Sequence, residues 1–113
     1  MKRIVAFVKP NMLDDVIFAL HEVTDFPGAS MSEVQGIGSG TREHLGHGDR
    51  TPFHAFPKSV RLEIVCPADR VEEIVETIRK NAYTGLLDDG KIYISPVDDS
   101  LRIRTGERGE AAV

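Results

Sequence analysis

Two arginines, Arg102 and Arg104, stand two positions apart in RIRTG, and Lys91 follows an Asp89-Gly90 pair in the segment TGLLDDGK. Phosphate groups are held by backbone N–H groups that glycines let come close, and by fixed cationic donors, of which the forked guanidinium is the best suited. Residues 84–91 and 102–106 supply both. In an extended segment Arg102 and Arg104 would present their guanidinium groups on one face, with Lys91 opening the neighbouring strand. The same letters also fit an ordinary Asp-Gly turn and a solvated strand edge, so the local pattern leaves both readings open.

Other clusters are less pointed. Gly36-Ile37-Gly38 lacks the third glycine and the following helix of a dinucleotide fingerprint, which leaves a flexible loop base or a place where a ligand lies flat on the backbone. His44, His47 and His54 could gather a divalent cation, because imidazole suits zinc, copper and nickel, yet no cysteine or carboxylate completes a recognised ligand spacing. Solvated loop histidines are the plainer account. No GxSxG, Walker, HExxH or Cys-His context occurs, and Asp14-Asp15, Asp88-Asp89 and Asp98-Asp99 read as helix-dipole and turn residues. A binding protein, not an enzyme, is indicated.

The elements that position these residues follow from periodicity. Residues 3–8, RIVAFV, form a buried strand bounded by Pro10. Leu13, Val16, Ile17, Leu20 and Val23 then recur at helical spacing, with Asp14 and Asp15 in the first turn. DFPG breaks that helix, and a second strand covers 30–34. The stretch 39–57, with three glycines and two prolines, has neither period. Loops beyond about 12–15 residues are mostly functional or disordered, so this one is a candidate binding loop. A third strand covers 58–65, paired antiparallel with the second. Asp69 and Glu72 suggest a capping box for a helix whose apolar face is Val71, Ile74, Val75 and Ile78, ending near Asn81 and Gly85. A fourth strand, 91–97, carries Pro96, which suits an edge or end. The tail, about 100–113, begins with alternation and reads as extended. The order β-α-β-loop-β-α-β gives an α+β, ferredoxin-like chain: one antiparallel sheet with both helices on one face, a single domain over 1–113. Strand one is apolar in both registers, Ile4, Ala6 and Val8 against Val5 and Phe7. The second face therefore needs cover, and a homo-oligomer packing sheet against sheet provides it.

Whole-chain properties narrow the class. The 113 residues fit one core, and a formal charge of -4 works against a phosphate-backbone interface, so nucleic acid is excluded as partner. No apolar run reaches the roughly 18 residues of a membrane span, and MKRIVAFVKP meets a proline before any secretory core develops, which places the chain in the cytoplasm. The lone cysteine, Cys66, fits a reducing compartment and a buried structural thiol.

On the segments MKRIVAFVKPNMLDDVIFAL, SEVQGIG, RLEIVCP, TGLLDDGKIYISPV and RIRTGERGEAAV, the chain resembles the P-II signal-transduction proteins, the nitrogen-regulatory sensors, over essentially its whole length. The resemblance implies a homotrimer with adenine-nucleotide sites between subunits, binding ATP, ADP or AMP. Ser30, Gly36, Ile37, Gly38, Lys58, Val65, Asp89, Gly90 and Lys91 would line the nucleotide, and Arg102 and Arg104 would reach phosphates from the neighbouring subunit. Residues 39–57 would be the family's T-loop, which docks onto a transporter or an enzyme. An alternative from another class is a metal-responsive trimer using His44, His47 and His54, similar in architecture to copper-tolerance trimers of this fold.

Departures from the family pattern mark a divergent member. The uridylylated tyrosine of the family's YRGAEY motif has no counterpart in LGHGDRTP, so covalent control by that route is not expected. Ser39 stands for the loop-base arginine and Gly40 for the magnesium-associated glutamine, so Mg2+ and 2-oxoglutarate do not carry over with the resemblance. Asp88 replaces a glycine and sets a negative charge beside the phosphates, which disfavours a triphosphate most. Titration calorimetry should therefore show ADP or AMP binding at least as tightly as ATP; a strong preference for ATP would refute this.

Overall fold

The computed structural model describes residues 1–38 and 52–113. Strand β1 spans Lys2–Val8, helix α1 Leu13–His21, β2 Ser30–Gln35, β3 Lys58–Cys66, helix α2 Val71–Ala82 and β4 Lys91–Pro96, with single 3-10 turns before each helix. The strand order is β2-β3-β1-β4, and every neighbouring pair is antiparallel, which is the ferredoxin-like arrangement. β1 lies centrally: Ile4 sits opposite Ile64 on β3 and Ile94 on β4.

Alternation decides the layers. Ile4, Ala6 and Val8 of β1 and Val60, Leu62, Ile64 and Cys66 of β3 are buried on the face that the helices cover. Val16 and Leu20 of α1, four positions apart, and Val71, Ile74, Ile78 and Ala82 of α2 complete this core. Acidic residues open both helices, Asp14 and Asp15 in α1 and Glu72 and Glu73 in α2, and Arg79 and Lys80 close α2, each matching the helix dipole. Cys66 is buried as expected, and desolvation pushes its thiol pKa up.

Val5, Phe7, Val34, Val65 and Tyr93 fall on the opposite face, away from both helices. Phe7 meets Tyr93 edge to face at 6.3 Å. Charged groups border this apolar centre: Glu63 pairs with Arg61 at 3.1 Å and with Arg3 at 3.7 Å.

Two expectations change. Asp69 lies in the 3-10 turn Ala68–Arg70, and no side chain caps α2; instead the Arg70 guanidinium donates to the Thr24 carbonyl and pairs with Glu73 at 3.3 Å, tying the helix start to the end of the first βα unit. Helix α2 ends at Ala82, between Asn81 and Gly85 as expected, and Asn81 donates to the Thr77 carbonyl at 2.8 Å. The tail is not extended. It turns back on itself through a Leu101–Arg108 bridge and a Gly106 N–H bond to the Arg102 carbonyl at 2.7 Å, then finishes in a 3-10 turn, Gly109–Ala112. Its base is anchored to the first residue: the Val97 N–H donates to the Met1 carbonyl at 3.2 Å, and Glu110 stands 3.9 Å from the terminal ammonium.

Of the long loop, 39–51 lies outside the described residues, and 52–57 contains the 3-10 turn Phe53–Ala55. Its base is stapled shut, since Gly36 N–H donates to the Pro57 carbonyl at 3.0 Å and Gln35 Nε2 to the Phe53 carbonyl at 2.6 Å.

Truncating Leu62, which is fully buried between the sheet and the helices, to alanine should cost about 2–5 kcal/mol in urea unfolding. Leu87→Ala, at a fully exposed position, should stay within about 0.5 kcal/mol. Equal costs would contradict this placement of the core.

Candidate functional site

The segment 83–91 leaves α2 and enters β4 through a turn that Asp89 organises. Its carboxylate accepts from the Thr84 N–H at 2.8 Å, the Gly85 N–H at 2.9 Å and the Thr84 hydroxyl. Led by the Thr84 hydroxyl, these donors hold the Asp89 carboxyl far below the usual carboxylate range. Gly90 comes next, at φ +109°, and a Cβ built there would stand 1.8 Å from the Phe7 carbonyl oxygen. Only glycine lets the turn lie against the end of β1. Lys91, opposite Phe7 in the ladder, is then delivered exposed at a fixed place.

A residue not singled out in the sequence completes this turn. Lys9 Nζ lies 2.8 Å from Asp88 Oδ1, 3.2 Å from Asp89 Oδ1 and 3.2 Å from Thr84 Oγ1. The Asp88 contact, first among these, raises the Lys9 pKa and lowers that of Asp88. Asp88 is thus an ion-paired carboxylate and not the unopposed charge its letter suggests. A lysine between a strand and Pro10 reads only as a boundary, and its partners lie about eighty positions away in sequence.

The sequence-selected residues fall into two groups. At the loop end of the sheet are Gly36, Ile37 and Gly38 after β2, Lys58 opposite Gln35 at the start of β3, and Asp89, Gly90 and Lys91. At the other end, Ser30 and Val65 line a cavity of about 620 Å³ with Gly28, Glu63, Val97 and Ala112, so the tail forms part of its wall. That volume suits a small-molecule ligand. Arg102 and Arg104 belong to the tail, but within the 102–106 turn, so they do not share a strand face as expected: Gly106 closes a loop in place of an extended segment. Arg102 is engaged with Glu107 at 3.1 Å and with the Ala111 carbonyl at 3.3 Å, whereas Arg104 is exposed. Among the described residues, Lys58, Lys91 and Arg104 have no ion-pair partner.

His44 and His47 lie outside the described residues, and His54 is exposed in the 3-10 turn. Among the described residues no three His, Cys, Asp or Glu side chains gather to hold a metal, and no helix is long and apolar enough to cross a membrane.

Residues 1–107 match the family model described as Nitrogen regulatory protein P-II. The chain is 42% identical to the Nitrogen regulatory protein P-II of Azospirillum brasilense and 44% identical to Nitrogen regulatory protein P-II 1 of Escherichia coli K12, each alignment covering 100% of both chains. Among solved structures, the crystal structure of Arabidopsis thaliana PII bound to citrate is similar at a TM-score of 0.78 and 36% identity, over 99% of this chain and 91% of that one.

Gly90→Ala should push the turn off β1 and cost roughly 1–3 kcal/mol in denaturant unfolding. The Asp89 carboxyl, with its folded pKa depressed, stabilises the fold fully above its unfolded pKa of about 4 and progressively less below it. The melting temperature of Asp89→Asn should therefore trail the native chain most at pH 6 and converge with it toward pH 2; a gap that widens in acid would contradict the assignment.

Proposed function

We propose that this chain, which belongs to the nitrogen regulatory P-II family, is a cytoplasmic homotrimeric sensor of adenine nucleotides that controls a partner protein through the loop 39–57. It has no catalytic step of its own. The observation that carries this reading is the division of the candidate ligand groups between the two ends of one sheet. Lys91 is fixed beside Phe7 at the loop end, and Arg104 belongs to the tail anchored on Met1 at the other. One anionic ligand can meet both only if a second copy brings its tail to the first copy's glycine turn.

The uncovered face supports such an assembly. An apolar centre of Val5, Phe7 and Tyr93 bordered by charges has the composition of a buried interface with a polar rim. The cavity suits the base of a nucleotide: Val65, Val97 and Ala112 offer apolar wall, and Ser30 and Glu63 offer acceptors for an exocyclic amine. The loop, stapled at its base by Gln35 and Gly36, rejoins the sheet at Lys58, at the same end as the glycine turn. A ligand at that end would bear directly on loop conformation, and a transporter or enzyme that docks on the loop would then respond to nucleotide.

Light scattering should give a mass three times that of the chain. Each nucleotide at a hundredfold excess over its Kd should stabilise the fold by about 2.7 kcal/mol, read as a rise in Tm. Arg102→Ala/Arg104→Ala should abolish that rise while leaving the unliganded Tm within a few degrees. A monomer, or a Tm indifferent to ATP, ADP and AMP alike, would overturn the proposal.

A further inference from the structure

Three lysines stand at the loop end of the sheet, and among the described residues the chain itself satisfies only one of them. An ammonium has three N–H donors, and Lys9 finds an acceptor for each in Asp88, Asp89 and Thr84. Two of these acceptors are committed elsewhere: Asp89 to the amides that shape the turn, Thr84 to Asp89. Apart from Lys9, Asp88 bonds only its own backbone N–H among the described residues, and its side chain is 76% exposed while that of Lys9 is 16% exposed. It is an anion carried on a surface turn and laid over the cation, removable without dismantling anything beneath it.

We propose that Asp88 is a built-in competitor, whose carboxylate takes the place on Lys9 that a ligand's terminal phosphate would otherwise fill and so sets the site to prefer nucleotides with fewer phosphates. This rests on the nucleotide reading given above. Exchange of one anion for another at Lys9 gains little, because the phosphate's ion pair merely substitutes for the carboxylate's. The displaced carboxylate would also stay tethered beside the incoming phosphate and repel it. A ligand that ends short of Lys9 meets neither penalty. Discrimination therefore depends on the pair: Asp88 acts only while Lys9 is there to be contested.

Titration calorimetry at fixed ionic strength on the full chain, with ATP, ADP and AMP as probes, would test this in Asp88→Ala, Lys9→Met and the double variant. Asp88→Ala should tighten ATP by about tenfold, the scale of one hydrogen bond to a charged group, and leave AMP essentially unchanged. The gain should vanish when Lys9→Met is added, the coupling expected of groups in direct contact. A structural role for the pair would instead weaken all three nucleotides together. An ATP-to-AMP affinity ratio that Asp88→Ala leaves unmoved, or a gain that survives in the double variant, would overturn the inference while the nucleotide reading stands. Failure of every probe to bind the native chain and all variants would overturn both.

Discussion

The Phe7 carbonyl oxygen and the Cα of Gly90 share a space that no side chain could enter. That close approach fixes where α2's exit can return to the sheet, and β4 starts from it with Lys91 opposite Phe7. Asp89 supports it from one side by gathering the Thr84 and Gly85 amides, and Lys9 from the other by bridging both aspartates. Every group at the loop end of the sheet is placed relative to this junction. The central strand thus does two jobs: its alternate residues fill the core, and its last turn of backbone seats the loop that presents the candidate anion-binding groups.

Strands and helices were legible because their signals are local. Apolar alternation in 58–66, helical recurrence in 71–82 and the β-branched run of β1 each need only near neighbours to be read, and Pro96 marked an edge strand that is an edge strand. The antiparallel order followed from chain connectivity. What sequence could not disclose were contacts between distant positions. Lys9 and Asp88 are far apart in the chain, as are Arg70 and Thr24, and neither pair leaves a spacing to recognise. Arg102 and Arg104 show the opposite failure. Their alternation is the pattern of a strand, but without a neighbour to pair with, the segment closes on itself through Gly106 and Glu107.

The candidate site residues could be picked out as types and not as an arrangement. Glycines and cations near 90 and 102 pointed to phosphate chemistry, and family resemblance named the rest. The division into a cavity end and a loop end emerges only when the register is known: Ser30 lies opposite Glu63, and Gln35 opposite Lys58. That division is what would give a second copy of the chain a role at the site itself, beyond covering Val5 and Phe7.

The β2–β3 pairing also separates the two ends by a fixed run of backbone, five residue steps from Lys58 to Glu63, or about 17 Å at strand rise. Because side chains alternate, adding or deleting one residue within β3 would turn Glu63 and Val65 into the core and Leu62 and Ile64 out of it. Length can change only in even steps there, each displacing one end of the sheet relative to the other. Across this protein's relatives, insertions and deletions should therefore collect between Gly38 and Pro52, while β3 keeps a constant length.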